Sequence, residues 1–288
     1  MISKSKKDVY IIGGGASGVL CAIEASKKYH VHIIEKNDKL MKKLLITGNG
    51  SCNFSNKALK DKYKYKDRYN NDFILDVYDR FSYDDLLRYL SDIGIYHMSK
   101  TRYDETYIYP YDYNSKSVYY NLMDMLKVYD VDIIYNQEVK DIKKDTDGYT
   151  IITTDKKYNA SIVVISTGGK SYQKTGSDGK MLDILKDMGL HIIEPIPSLC
   201  PLYHNDSTLK DLKGIRTECD VSVKVDGSIR YKEYGEVQFN ESSLSGIPIL
   251  NASCRVGRNI YNHDKVSISI DFIKDICDAS FFKKRQKD

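Results

Sequence analysis

The chain has 288 residues, 41% of them hydrophobic and 29% charged, which suits a globular protein of one large or two modest domains. Its net charge of +4 is too mild to demand a polyanionic partner. The six cysteines (Cys21, Cys52, Cys200, Cys219, Cys254 and Cys277) lie far apart with no C-x-x-C pair, so neither a zinc site nor a disulfide framework follows, and reduced cytoplasmic thiols are the plain expectation.

Lys4, Lys6 and Lys7 ahead of an apolar run imitate a signal peptide, but Gly13–Gly15 and then Glu24 break that run. A strand–turn–helix reading explains Val9–Glu35 better. Val9–Ile12 is short and β-branched or aromatic, as a buried parallel strand should be. Gly13, Gly15 and Gly18 then fit G-x-G-x-x-G at the strand-to-helix junction. The first glycine permits the tight turn, the second lets a pyrophosphate approach the backbone, and the third lets the helix pack on the strand. The phosphates would rest on exposed N–H groups at the positive helix end. His30–Ile34 reads as the second strand, with Glu35 at its carboxyl end. A carboxylate there accepts both hydroxyls of an adenosine ribose and repels a 2′-phosphate. A dinucleotide held by its ADP half is the expectation.

Thr47, Gly48, Asn49 and Gly50, followed by Ser51, Cys52 and Asn53, form a loop rich in main-chain donors, with glycines that permit positive φ. Lys57–Tyr69 alternates basic and aromatic residues and carries the whole net charge, with six positive and two negative side chains. It reads as a solvated surface segment, single-stranded nucleic acid being the lesser alternative, so no nucleic-acid partner is expected. Helical spacing covers Asn71–Phe81 and Tyr83–Ile93, ended by Gly94. Short strands follow near Ile95–Met98 and Tyr107–Tyr109, then a helix capped by Asn114. Val131–Tyr135 is the next buried strand. Glu138–Ile142, Tyr149–Thr153 and Lys157–Asn159 read as an antiparallel meander turning at Asp147-Gly148. Ser161–Ser166 returns as an apolar strand ending in Thr167-Gly168-Gly169. A meander placed before the fourth parallel strand separates FAD-binding domains from NAD-binding ones.

Asp183–Met188 reads as a helix ended by Gly189, and Pro195 with Pro197 marks a domain boundary. Beyond it, Cys219–Val225, Ser228–Tyr234, Glu236–Phe239 and Lys265–Ile270 read as short strands, with Asp226-Gly227 the strongest hairpin signal. The fold class is therefore α/β, with a Rossmann-like FAD-binding domain over residues 1–194 and an antiparallel β-rich insert, an incomplete barrel, over 195–288. The first domain contains a helical excursion at about 57–128 and the meander at about 137–159. His191, His204 and His263 are too scattered for a metal site, and none is expected. No stretch approaches the length of a membrane span, so no membrane partner is expected.

IIGGGASG (Ile11–Gly18), EKNDK (Glu35–Lys39), KLLITGNGSCN (Lys43–Asn53), TGGKSYQKTGS (Thr167–Ser177), PSLCPL (Pro197–Leu202) and GEVQFNESSLSGIPIL (Gly235–Leu250) together resemble a known group. It is the bacterial NAD(P)/FAD-dependent oxidoreductase family of aminoacetone-oxidase-type FAD-binding enzymes, which includes the 3-dehydro-bile-acid reductase. The resemblance implies extended FAD, with its pyrophosphate on Gly13, Gly15, Ala16, Ser17 and Gly18, its ribose on Glu35 beside Lys36, and its adenine on the Val139 backbone. Lys43, Thr47, Gly48, Asn49, Gly50, Cys52 and Asn53, with Thr167, Gly168 and Gly169, would lie near the ribityl chain and flavin. The implied activity is flavin-dependent oxidoreduction, with hydride passing between FAD and NAD(P)H or a small organic substrate. No catalytic acid or base is assigned; Tyr109 and Tyr172 are polar aromatics in motifs near the expected flavin.

This chain departs from the family's pattern at several positions. Ser51 and Tyr107 stand where arginines are usual, Met41 where glycine is, and Lys180-Met181 where Asp-Gly is. The family's insert returns to the FAD domain through a final strand, and relative to that pattern the chain is C-terminally truncated after Ile268–Phe272 and a basic tail, Lys283–Lys287. The alternative expectation is accordingly a catalytically impaired dinucleotide-binding remnant. The substrate and the oligomeric state do not follow from the sequence.

Overall fold

The computed structural model describes residues 7–63, 73–102 and 105–272. They fall into two compact units that divide between Ile192 and Ile193. Cys277, the basic tail Lys283–Lys287 and positions 64–69 of the basic, aromatic segment lie outside the described residues.

In chain order the first unit runs β1 (Asp8–Ile12), α1 (Ala16–Ser26), β2 (His30–Ile34), β3 (Ser55–Asn56), α2 (Phe73–Arg80), α3 (Tyr83–Asp92), β4 (His97–Arg102), β5 (Glu105–Pro110), α4 (Ser115–Val128), β6 (Asp132–Ile134), β7 (Val139–Lys144), β8 (Tyr149–Thr153), β9 (Lys157–Ala160), β10 (Ile162–Ile165) and α5 (Lys180–Asp187). Four strands form a parallel sheet in the order β10-β1-β2-β6. Alternation along β1 explains why its run is apolar throughout. Val9 and Ile11 pack with Val19, Ala22, Ile23, Leu122 and Leu126 of α1 and α4 on one face. Tyr10 and Ile12 pack with Ile142 and Ile151 of the meander on the other. The meander is the separate antiparallel sheet β7-β8-β9, as the sequence predicts.

The helical excursion keeps its predicted elements. Ser82 and Asp85 form a reciprocal capping box at α3, and the Asn114 side chain accepts the Lys116 N–H at 3.0 Å. The two predicted short strands are longer and pair as a β4–β5 hairpin, with β3 added on the other side of β5. Helix α5 starts three residues before the predicted Asp183, at Lys180, after a left-handed Gly179 (φ 83°).

The second unit contains β11 (Leu202–Tyr203), β12 (Arg216–Val225), β13 (Ser228–Phe239), β14 (Ser243–Ser245), α6 (Ile247–Tyr261) and β15 (Val266–Asp271). Asp226 (φ 50°) and Gly227 (φ 81°) make the β12–β13 hairpin as expected. Two readings need correction. Ser228–Tyr234 and Glu236–Phe239 are one continuous strand. Among the described residues, the expected incomplete barrel is an open five-stranded sheet, β11-β14-β13-β12-β15, with a helix on its apolar face. That helix, α6, has no counterpart among the predicted elements, although Ile249, Ala252 and Val256 hold helical spacing. All three are fully buried against Val221, Val223, Val237 and Phe239. With a helix covering one face, the sheet has no need to close on itself.

Candidate functional site

A cleft of about 550 Å3 opens at the carboxyl ends of β1, β2 and β10, in the size range of small-molecule sites. Parallel strands deliver their loops and following helix N-termini to this edge, which is where such folds bind ligands. Its floor is the β1–α1 corner. Gly13 has φ 98°, and a Cβ on it would stand 2.7–2.8 Å from backbone atoms of Ser166 and Thr167. A Cβ on Gly18 would stand 2.1 Å from the Gly13 carbonyl oxygen, so this glycine sets the helix–strand contact. Gly15 differs from both. A Cβ there would find only the Ser166 carbonyl oxygen, at 4.0 Å, so the space before the first turn of α1 is clear of protein atoms. A group with negative oxygens fits that corner.

Glu35 stands on the cleft wall and is only 7% exposed. Its Oε2 accepts the Gly14 N–H at 2.8 Å, and its Oε1 accepts the backbone and side-chain amides of Asn37 at 2.9 and 2.7 Å. The carboxylate is thereby locked in one orientation before any ligand arrives, and Oε2 retains a lone pair. Asn37 and Gly14 are the partners of Glu35 that the sequence reading did not assign to it. The Asn two residues past the strand-end acid was the available signal, since Asn side chains bond to near neighbours.

Lys39 lies over the Tyr119 ring, and the other four lysines of the wall divide into two sets. Lys36 pairs with Asp178 at 3.0 Å, Lys42 with Asp38 at 2.8 Å, and Lys180 with Glu138 at 3.0 Å. Hydrogen bonds from Lys140 and Lys180 hold the Glu138 carboxyl below its ordinary range. Lys43 has no carboxylate in ion-pair range among the described residues. Its ammonium donates to Ser177 Oγ at 2.8 Å, and burial pushes its pKa down. A half-buried cation supplied only with hydroxyl partners is open to an anionic ligand group.

Gly13, Gly15, Ala16, Ser17, Glu35, Lys36, Lys43, Thr47, Cys52, Asn53, Val139, Thr167 and Gly168 all line this cleft. Gly18 lies beneath it, while Gly48, Asn49, Gly50 and Gly169 are off its wall. Gly48 (φ 55°), Asn49 (φ 53°) and Gly50 (φ 84°) do adopt the left-handed backbone expected of them. They shape the turn that presents Thr47, Cys52 and Asn53. Burial pushes the Cys52 thiol up, which disfavours the thiolate. Met41 also has positive φ (54°), which explains why glycine suits that position. Tyr172 is 70% exposed and Tyr109 packs on Tyr113, and neither lines the cleft. Part of the cleft lining is apolar, formed by Leu20, Phe54, Leu86, Leu90, Val118 and Leu122.

The five described cysteines are unpaired. No helix among the described residues is long and apolar enough to cross a membrane.

The model of the HI0933-like protein Rossmann domain matches residues 7–252. Among curated proteins, the 3-dehydro-bile acid delta(4,6)-reductase of Clostridium scindens is 29% identical over 278 residues, covering 95% of this chain and 66% of that protein. The ribosomal RNA dihydrouridine synthase of Haemophilus influenzae is 23% identical over 250 residues, covering 84% of this chain and 60% of that protein. The chain thus spans roughly two thirds or less of these relatives' length. A solved structure, the 3-ketosteroid-delta4-(5alpha)-dehydrogenase from Rhodococcus jostii in complex with 4-androstene-3,17-dione, is similar in fold. Its TM-score is 0.51 at 15% identity, covering 75% of this chain and 61% of that chain. These matches bear out the resemblance carried by the glycine corner and the KLLITGNGSCN motif. The four parallel strands with their meander are a Rossmann-type FAD-binding fold.

Proposed function

The chain belongs to the HI0933-like Rossmann family, and on that premise we propose a flavin-dependent oxidoreductase that holds FAD in this cleft. In this reading hydride passes between the cofactor and NAD(P)H or a small organic substrate. The observation that carries it is the locked Glu35 carboxylate beside an uncovered helix N-terminus, a ribose acceptor next to a phosphate site. When bound, FAD supplies the two-electron chemistry, and the protein binds and orients it.

The chain's own residues have distinct tasks here. Gly13 and Gly18 shape the corner, Gly15, Ala16 and Ser17 offer amides to the pyrophosphate, Glu35 Oε2 accepts a ribose hydroxyl, and the Val139 backbone borders the adenine. Lys43 meets an anionic part of the ligand. Thr47, Cys52, Asn53, Thr167 and Gly168 border the ribityl and ring portion. To the β-rich second unit, within residues 195–288, we assign the handling of substrate. One curated relative is named a delta(4,6)-reductase and the other a dihydrouridine synthase; addition of hydrogen across a ring double bond is common to both names. That is the reaction class we assign here.

The test is to purify the chain and titrate it with FAD. Bound flavin absorbance that survives dialysis, bleaches with NAD(P)H and is lost in Glu35→Ala is the expected result. A colourless protein indifferent to added FAD overturns the reading. A second reading takes the substrate ring as a base within RNA. It is favoured by the relative's name and by the exposed Lys57, Lys60 and Tyr63 of the basic segment. Salt-sensitive binding of single-stranded RNA, lost when these lysines are neutralised, would select it.

A further inference from the structure

At the amino ends of the same strands, opposite the cleft, register gathers a second polar cluster. Asp8 opens β1 and pairs with His30 of β2, while His32 pairs with Asp132 of β6. Residues paired across parallel strands share a face, and residues two apart on one strand share it too. Asp8, His30, His32 and Asp132 therefore project from one face of the sheet. Asp8 Oδ1 lies 2.8 Å from His30 Nδ1 and 3.4 Å from His32 Nε2. The remaining nitrogens, His30 Nε2 and His32 Nδ1, point at Asp132 Oδ2, at 3.3 and 3.1 Å. Tyr10 stacks on His32 with ring centroids 4.3 Å apart and fixes that ring.

Four nitrogen–carboxylate contacts call for four N–H donors, but a neutral imidazole carries one. Two neutral rings can satisfy one carboxylate and leave two bare nitrogen lone pairs facing the other. We propose that the Asp8 side holds a divalent first-row transition ion such as zinc, ligated by Asp8 Oδ1, His30 Nδ1 and His32 Nε2. Asp132 would then accept the other N–H of both rings. The ligand atoms of Asp8, His30 and His32 all lie within 4.8 Å of one another. Ligands at zinc distances in tetrahedral array stand about 3.4 Å apart, so shifts of a few tenths of an ångström to about an ångström complete the site. A carboxylate that orients a metal-bound imidazole through its second nitrogen is a recurrent arrangement, and here one carboxylate serves two rings. Imidazole ligands suit zinc, nickel, copper and cobalt over magnesium or calcium. Asp8, His30 and Asp132 are each about half exposed, which leaves a coordination position for water. The ion would tie β1 to β2 at the sheet edge remote from the cleft.

The experiment is a titration of the untagged, metal-stripped chain with cobalt(II) and zinc(II), followed by calorimetry, visible spectroscopy and thermal unfolding. One ion per chain, cobalt ligand-field bands with no thiolate charge-transfer band, and a raised Tm are expected. His30→Ala with His32→Ala should abolish all three, and Asp8→Asn should weaken binding without risk to the imidazole pair. Asp132→Asn should leave the stoichiometry at one and weaken affinity by about 10–100-fold. No binding by the wild type, equal binding by the histidine variant, or a thiolate band that assigns the ion to a cysteine would overturn the proposal.

Discussion

The two ends of the parallel sheet use the same strands to opposite effect. At the carboxyl edge the strands hand over to a glycine corner and a helix start, and binding capacity resides mainly in backbone amides and one locked acid. At the amino edge no helix N-terminus among the described residues supplies amides, and the polar groups are side chains aligned by register. A main-chain site is local in sequence: Gly13–Gly18 lie in one six-residue run. A register site is assembled from positions 8, 30, 32 and 132, of which only 30 and 32 are close in sequence.

The sharpest way to test this division is within the glycine corner itself. Gly18→Ala places a methyl 2.1 Å from a carbonyl oxygen and should destabilise the fold by about 1–3 kcal/mol or more, read by denaturant unfolding. Gly15→Ala puts its Cβ in clear space, so beyond the modest cost of replacing a helix-capping glycine stability should hold, while FAD titration shows binding weakened at least tenfold. A Gly15→Ala protein that binds FAD as the wild type does would break the comparison. Glu35→Ala comes next. It removes three accepted hydrogen bonds and orphans the Gly14 N–H, and should cost about 1.5–3 kcal/mol of stability together with at least tenfold in FAD affinity.

Acidification probes both edges at once. Asp8 at the amino edge and Glu138 and Asp178 at the cleft all titrate below their ordinary range, Asp8 and Glu138 through hydrogen bonds to histidine and lysine. For Asp178 burial opposes the shift, and the Lys36 bond outweighs it in company with Lys180. Carboxyls depressed in the folded state add stability that is present above their unfolded values and lost as pH falls through the folded ones. Unfolding should therefore set in below about pH 4 and move upward in Asp8→Asn or Glu138→Gln, monitored by circular dichroism. The smallest effect serves as a control away from both edges. Tyr107, whose hydroxyl donates to Glu105, is pushed up to about 12, and Glu105→Gln should return its ultraviolet titration toward 10 with little change in Tm.

Sequence alone determined the strand–glycine–helix corner, the acid after β2, the meander and the helix caps. Each depends on residues a few positions apart, where φ preference, capping and alternation act directly. The second unit was legible in its hairpin and in the strand β15, but not in its helix or its sheet order. Whether its strands close into a barrel depends on what covers their apolar face, and α6 supplies that cover from residues later in the chain. Tertiary structure likewise decided that Glu35 is held by Gly14 and Asn37, that Gly48–Gly50 stand behind the wall, and that two histidines meet two aspartates. These outcomes depend on strand register and on which chain segment reaches an edge first, and periodicity along a single segment carries no record of either.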